Sequence, residues 1–228
     1  MKKCRLLINI CQVLFIVFLP LAILITILQY YSYNQDFYIK EFERYEASEV
    51  TGMIEEDLNR VSNRLIAYIK DDAKDLNMQA IINGELREVF GQREKQHMVD
   101  VKELFIRAHN LRNMAWILVL AALITILIAS KRKKEDIYRG LLWSGIIPIL
   151  LMLILYILIN IDFHRYFTYF HKIFFTNDLW LLDPKREVLI QMLPLEFFMN
   201  ISMRIIGWFL VILIGITSIS FANLRRNK

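Results

Sequence analysis

The chain has little cysteine, and what it has lies in one place. Of its 228 residues only Cys4 and Cys11 are cysteines, and both fall at or inside the first apolar run, residues 6–28. Disulfides are therefore excluded as cross-links of any domain outside the membrane, and no thiol can act there as a nucleophile.

Signature motifs of several enzyme classes are also missing. The sequence has no Gly-x-Ser-x-Gly turn, no phosphate-binding loop and no dinucleotide-binding fingerprint, which argues against a serine hydrolase or a nucleotide-dependent enzyme. Ionisable residues are almost absent from the interiors of the apolar runs, and no broken-helix pattern interrupts them. A transporter is therefore not the favoured interpretation.

Long apolar runs are what the sequence does have. It is 56% hydrophobic, with a mean hydropathy of +0.38, which is too apolar for an ordinary soluble domain. About 20 apolar residues span a bilayer as a helix, and four runs meet or approach that length: residues 6–28, 114–129, 140–161 and 205–222. The first is longer than a signal-peptide core and lacks a small-x-small cleavage site, so we expect it to be retained.

Charge predicts the orientation of the four spans. Basic residues cluster at alternate ends of the runs: Lys2, Lys3 and Arg5; Lys131, Arg132, Lys133, Lys134 and Arg139; Arg225, Arg226 and Lys228. The segment 29–113 has 12 Lys and Arg against 16 Asp and Glu, a net charge of −4. The positive-inside rule then places both termini in the cytoplasm. The overall charge of +5 comes from these flanks and indicates no nucleic-acid partner.

The predicted fold class is an α-helical membrane protein with four transmembrane helices. A small α+β extracytoplasmic domain follows span 1, and an aromatic-rich outer segment follows span 3. The predicted segments are span 1 at 1–30, outer domain at 31–110, span 2 at 111–130, cytoplasmic loop at 131–139, span 3 at 140–161, outer segment at 162–204, span 4 at 205–223 and cytoplasmic tail at 224–228.

Local patterns predict the structure of the outer domain. Apolar residues recur at helical spacing at Ile54, Leu58, Val61, Leu65, Tyr68 and Ile69, and Thr51 is the expected N-cap of that helix. Asn83-Gly84 between apolar residues predicts a hairpin within 77–90. A helical pattern returns from about Arg93. Asp183-Pro184 should end any helix in the outer segment, before a short amphipathic stretch that includes Val188 and Leu189.

All four histidines, His97, His109, His164 and His171, fall in the segments predicted to lie outside. Histidine is the natural proton carrier near neutral pH. Asp100 follows His97 at a spacing that lets the two interact on a helix. We interpret His109 and His164 as residues at the membrane–water interface with no role in catalysis.

His171 precedes Asn177, Asp178 and Asp183, which fits a general base with a carboxylate to orient it and an amide to hold an oxyanion. Ordinary surface charges and loop caps are the alternative interpretation of both clusters. A metal site built from His164, His171, Asp178 and Asp183 is a third interpretation, although the spacing matches no established signature such as H-E-x-x-H.

Two motifs taken together resemble a known family. They are His97-Met98-Val99-Asp100-Val101-Lys102 and Phe170-His171-x-x-Phe174-Phe175-x-Asn177-Asp178-x-Trp180-x-x-Asp183-Pro184, with Leu189-Ile190-x-Met192-x-Pro194-x-x-Phe197-Phe198 as a further match. Together with the span number and orientation, they resemble the bacterial four-span family of the lipoprotein intramolecular transacylase, Lit. The resemblance covers essentially the whole chain.

The resemblance implies a multi-pass enzyme of the bacterial cell membrane with its active site on the extracytoplasmic face. Its partners would be membrane lipid and a diacylglyceryl-modified lipoprotein, with no nucleic acid, nucleotide, metal or other cofactor. One acyl chain would move from the glyceryl sn-2 oxygen to the α-amine of the lipoprotein's N-terminal cysteine, giving the lyso form. The substrate's own amine is then the nucleophile, which accounts for the lack of a nucleophile motif.

The resemblance also implies site residues. His171 would be the general base and His97 the acid or oxyanion donor. Asp100 and Asp178 would orient the imidazoles, Lys102 and Asn177 would contribute electrostatics, and Phe174, Phe175, Trp180 and Asp183 would bind the substrate. The competing hypotheses are a non-enzymatic membrane sensor or assembly protein with an outer ligand-binding domain, and a metal-dependent membrane hydrolase.

One geometric expectation follows. If residues 93–130 form one vertical helix, His97 lies about 20 Å above the hydrocarbon edge at 1.5 Å per residue, and His171 should lie nearer to it. The two-histidine mechanism nevertheless requires that these imidazoles approach each other and share a cleft.

Overall fold

The computed structural model describes residues 2–226, with side chains from Arg5 onward. Expectations that rested on the side chains of Lys2, Lys3, Cys4 and Lys228 lie outside that part. In chain order the elements are α1 (Lys2–Ser32), α2 (Gln35–Arg44), α3 (Ala47–Thr51), α4 (Glu55–Ile69), β1 (Gln79–Ile82), β2 (Glu85–Glu88), α5 (Gln92–Ala129), α6 (Lys133–Ile161), α7 (Phe163–Phe174), α8 (Val188–Met192) and α9 (Leu195–Arg226).

Four helices, α1, α5, α6 and α9, are long and apolar enough to cross a membrane. This confirms the prediction of a mostly helical, multi-pass membrane protein. Helix α5 is unbroken over 38 residues, so the outer helical pattern and the second apolar run form one element. Helix α6 continues through Pro148, as expected for a proline that bends a transmembrane helix without ending it.

The chain divides into two compact units. The first comprises Met1–Leu28, His109–Asn160 and Met203–Lys228, and the second comprises Gln29–Ala108 and Ile161–Ser202. We call them the membrane unit and the outer unit, because the second holds most of the segments that the sequence predicts to lie outside the membrane. In the membrane unit, the core includes Ala115, Ile126 and Leu213, all fully buried.

Gly145 marks a close helix crossing in the membrane unit. A Cβ at this position would lie 1.8 Å from Thr217 Oγ1 and 3.2 Å from the Leu213 carbonyl oxygen, so a side chain here would have to displace Thr217 and push α6 and α9 apart. Small residues at such crossings let helix backbones approach in membranes.

We therefore expect Gly145→Ala to lower the stability of the protein by about 1–3 kcal/mol, the usual cost of overpacking. Thermal unfolding in detergent measures the effect. Gly215→Ala is the matched control, because nothing lies within 4 Å of a Cβ there. Equal melting temperatures for the two variants would contradict the close crossing.

In the outer unit, α4 packs its predicted apolar face inward. Leu58, Val61 and Leu65 are buried, as their spacing predicted. The predicted Thr51 cap is wrong: Thr51 ends α3, and its hydroxyl donates to the Ala47 carbonyl at 2.6 Å. The N-cap of α4 is Ile54, whose side chain makes no capping hydrogen bond.

The predicted hairpin is confirmed. Strands β1 and β2 pair antiparallel around Asn83 and Gly84, whose φ angles are +53° and +83°. A two-residue turn with two positive φ angles has a backbone twist that matches the twist of the paired strands. Asparagine followed by glycine is the sequence that best tolerates these angles. Residue Ile82 also pairs with Met53, which attaches the hairpin to the segment before α4.

The second part of the outer unit holds two helices and a loop between them. Helix α7 begins after Asp162, whose carboxylate accepts from the Arg165 N–H at 3.0 Å. It ends at Phe174, and residues 175–187 form neither helix nor strand. In α8, Val188, Leu189 and Met192 are buried. The loop thus lies between two helices that are packed into the unit.

Candidate active site

Two buried histidines meet in the outer unit. His97 lies in the second turn of α5 and His171 in the last turn of α7, and their ring centroids are 6.1 Å apart. Each is only 7% exposed. The predicted approach of the two imidazoles is confirmed, although 74 positions separate them in sequence. His109 and His164 are both exposed, so burial distinguishes the pair from the other two histidines.

Aromatic rings enclose the histidine pair. The Phe175 ring lies 5.3 Å from His97 and 5.5 Å from His171. The Trp180 indole stacks on His171 at 4.8 Å with an interplanar angle of 28°, and the Phe167 ring lies 4.4 Å away edge-on. These apolar faces keep water from the imidazoles and strengthen electrostatic interactions there.

Both imidazoles are held neutral. Burial lowers the pKa of His97 to about 4, with a smaller lowering from His171 and an opposing effect of Asp100. Burial also lowers the pKa of His171, against a hydrogen bond to the Phe167 backbone that raises it. Because the charged form is disfavoured in each case, both rings are neutral at neutral pH, and each keeps one ring nitrogen unprotonated.

The hydrogen bonds of the two rings differ. His171 Nδ1 lies 2.8 Å from the Phe167 carbonyl oxygen. A carbonyl can only accept, so Nδ1 carries the hydrogen and Nε2 keeps its lone pair. His97 Nδ1 is buried and has no hydrogen-bond partner within residues 2–226. Buried polar atoms without a partner are rare in folded proteins and call for an explanation.

The loop after α7 is attached to α5 beside His97. Asn177 Nδ2 donates to Asp100 Oδ2 at 2.8 Å, and Asn177 Oδ1 accepts from the Leu179 N–H at 3.1 Å. Asp100 thus holds the loop that carries Trp180, and its charge also acts on His97. The structure brings Asp100, Asn177 and both histidines together, as the sequence motifs predicted.

Three further predicted residues lie at the edge of this group or outside it. Asp178 is exposed, and its backbone carbonyl accepts from Arg93. Asp183 caps its own turn by accepting from the Lys185 N–H at 3.0 Å. The Lys102 ammonium is turned to another loop, 2.6 Å from Asp71 Oδ1. A fourth predicted residue, Phe174, is 52% exposed, and its ring lies 4.8 Å from the ring of Phe170.

Sequence reasoning missed two residues that attach α5 to the rest of the site. Glu94 is 2% exposed and accepts from the backbone N–H groups of Gly91 and Leu189, both at 2.6 Å. Burial raises the pKa of this carboxyl, while the two hydrogen bonds oppose the shift. The Arg93 guanidinium binds the Asp178 carbonyl. For Arg93 the available signal was spacing, because residues 93, 97 and 100 share one face of a helix.

A metal site is not assembled from the residues considered for it. In the part of the chain that the structure describes, no three His, Cys, Asp or Glu side chains are grouped to hold a metal ion. His164 is exposed on α7, and Asp183 is engaged in its own turn.

Comparison with known proteins gives the family. The family model of the lipoprotein intramolecular transacylase Lit matches residues 13–198. The in meso structure of the membrane integral lipoprotein intramolecular transacylase Lit from Bacillus cereus superposes with a TM-score of 0.77 at 22% identity, covering 99% of this chain and 95% of that one.

A variant of the Bacillus cereus protein with one histidine replaced by arginine gives a TM-score of 0.75 at 22% identity, over 96% of this chain and 93% of that one. No curated protein matches the sequence significantly. The family match covers more than half of the chain, and the structures share its fold. The chain belongs to the lipoprotein intramolecular transacylase Lit family.

Proposed function

We propose that this enzyme moves the sn-2 acyl chain of a diacylglyceryl-modified lipoprotein onto the α-amine of the N-terminal cysteine of the same molecule. As a member of its family, the protein is a membrane enzyme of intramolecular lipoprotein acyl transfer. In the reaction, the ester C–O bond breaks, an amide C–N bond forms, and one proton moves from the amine to the glyceryl oxygen. Donor and acceptor belong to one molecule, so no further reactant is needed.

The observation that carries the proposal is the pair of buried, neutral imidazoles 6.1 Å apart. An amine that attacks an ester must lose a proton, and the glyceryl oxygen that leaves must gain one. His171 Nε2 has a free lone pair because Nδ1 donates to the Phe167 carbonyl. We assign His171 as the general base that takes the proton from the attacking amine.

His97 is assigned as the second proton-handling group. Its pKa is lowered to about 4, so the ring is neutral, and its one N–H can donate to the oxyanion of the tetrahedral intermediate. A positive charge on His171 further disfavours protonation of His97. The pair therefore holds one proton at a time, which is what a transfer from amine to alkoxide requires.

The surrounding residues are assigned to positioning and substrate binding. Asp100 and Asn177 hold the loop over the histidines through their 2.8 Å hydrogen bond. Phe174, Phe175 and Trp180 offer apolar faces to the migrating acyl chain. The exposed residues assigned to the polar part of the lipoprotein are Asp178, Asp183 and, more remotely, Lys102.

We place both termini in the cytoplasm and segments 31–110 and 162–204 on the extracytoplasmic side of the bacterial cell membrane. The positive-inside distribution of Lys and Arg supports this orientation. The substrate's cysteine and glyceryl group would then meet the site at the outer surface. The reaction needs no cofactor, nucleotide or nucleic acid, since every bond change occurs within the lipoprotein.

Mass spectrometry of the N-terminal peptide of a reporter lipoprotein tests the proposal. In cells that express this protein, one acyl chain should be found on the α-amine and one on the glycerol, at unchanged total mass. Cells without it should keep two acyl chains on the glycerol and a free amine. A reporter that keeps the free amine despite good expression of the protein would refute the reaction.

The pH dependence of kcat/KM should follow the substrate amine and not an ordinary histidine. The free amine has a pKa of about 8, so the rate should rise with pH and level off above that value. Because the pKa values of His97 and His171 are lowered, their proton-accepting forms persist above pH 6.5 and are lost only as pH falls below it. A plateau reached by pH 7 would contradict this assignment.

A further inference from the structure

Helix α7 carries an apolar stripe, most of which the described residues leave exposed. Tyr166, Tyr169, Phe170 and Ile173 recur at intervals of three, four and seven residues, so they lie on one face. Ile173 is 75% exposed, Tyr169 44% and Phe170 41%. A row of large apolar side chains exposed at this level usually marks an interaction surface.

The opposite face of α7 belongs to the active site. His171 is buried, and Phe167 packs against its ring at 4.4 Å. At 100° per residue, Ile173 is about 160° around the helix from His171. One helix therefore presents the general base on one side and the exposed stripe on the other.

The charged side chains within α7 that flank the stripe are positive, and the N-cap carboxylate of Asp162 lies one turn before Tyr166, at the start of the stripe. Arg165 and Lys172 are exposed on the neighbouring face, and α7 contains no carboxylate. The Arg165 guanidinium is held to the stripe itself, since its Nε donates to the Tyr169 hydroxyl at 3.1 Å. Cations beside an apolar face are the pattern of helices that lie on membranes, where Lys and Arg meet lipid phosphates.

Helix α7 also follows a membrane-spanning helix almost without a break. Helix α6, one of the four spanning helices, ends at Ile161, which is 73% exposed, and Asp162 alone separates it from α7. We infer that α7 lies in the lipid–water interface, with its Tyr166–Tyr169–Phe170–Ile173 stripe among acyl chains and Arg165 and Lys172 at the phosphates.

This placement has a consequence that rests on the proposed function. His171 stands about one helix diameter, roughly 10 Å, from the side of α7 that enters the acyl chains. The imidazole is then in the headgroup layer, at the depth of a glyceryl ester. The ester can reach the base without drawing its acyl chains fully out of the bilayer, and the Phe170–Phe174 pair offers an apolar path between stripe and site.

A nitroxide at two positions of α7 tests the inference without measuring turnover. The full-length protein, with Cys4 and Cys11 replaced by alanine, receives Ile173→Cys or the matched control His164→Cys. Both positions are exposed and lie on opposite sides of the helix, nine residues apart. Each variant is labelled, reconstituted into phosphatidylethanolamine–phosphatidylglycerol vesicles, and probed with oxygen, which concentrates in lipid, and with a water-soluble nickel chelate.

The label at position 173 should collide more often with oxygen, and the label at position 164 more often with the nickel chelate. Equal collision ratios, or a nickel-accessible label at 173, would overturn the inference. A label at 173 shielded from both reagents would also overturn it, in favour of a protein partner. Since the readout needs no substrate, failure of the transacylase proposal would leave this result unchanged, and the reverse also holds.

Discussion

Replacing His171 by glutamine should lower the rate of acyl transfer by about 10²–10⁴-fold, the usual contribution of a general base. Glutamine approximates the size of the ring and can still donate to the Phe167 carbonyl that Nδ1 contacts at 2.8 Å. It cannot take a proton from an amine at neutral pH. The measurement is single-turnover conversion of a purified diacylglyceryl reporter by protein in vesicles.

The matched control for this variant is His164→Gln. His164 lies seven residues earlier on the same helix, which places it on nearly the same face, but it is exposed and outside the pair. Its replacement should leave the rate within about twofold of the parent, as surface substitutions usually do. Retention of more than a tenth of the rate in His171→Gln would remove this residue from the mechanism. Equal losses in both variants would point to a general defect of α7.

Features set by neighbouring residues could be predicted from the sequence. The hairpin at Asn83 and Gly84 follows from the positive φ angles that those two residues tolerate. The buried face of α4 follows from apolar spacing. The four spans follow from run length alone, because the bilayer sets the number of residues required.

The predicted helix cap at Thr51 was wrong because the threonine hydroxyl found a different backbone partner nearby. Thr51 has the right residue type for a helix cap, but it is the last residue of a short helix, α3, and Gly52 closes that helix at φ +71°. The threonine hydroxyl then satisfies the Ala47 carbonyl. Short polar side chains bond to nearby backbone wherever the loop allows it, and spacing does not reveal which loop forms.

Contacts between distant segments were predictable only through the joined motifs. The approach of His97 and His171 followed from taking their two runs as one site, whereas simple helix geometry argued for separation. Glu94 was missed because an acid in a first turn is the ordinary partner of a helix dipole. Besides the nearby Gly91 N–H, it binds the Leu189 N–H, which is 95 positions away, and no pattern in either segment marks that second contact.

Replacing His97 by glutamine should also cost about 10²-fold or more, since the N–H assigned to the oxyanion is lost or misplaced. The decisive variant combines His97→Gln with His171→Gln. Residues that act as one unit give losses that do not multiply. If the pair passes a single proton between amine and glyceryl oxygen, the rate of the double variant should lie within about threefold of the rate of the slower single variant.

The same helix supplies the control for this cycle. His109→Gln changes an exposed histidine of α5, and its effect should multiply independently with that of His171→Gln, because distant sites are additive. Fully multiplicative losses for His97 and His171 would mean that the two rings act in separate steps, and the one-proton mechanism would fail. If the double variant is as slow as one single variant and no slower, both rings take part in the same proton transfer. Their 6.1 Å separation permits this.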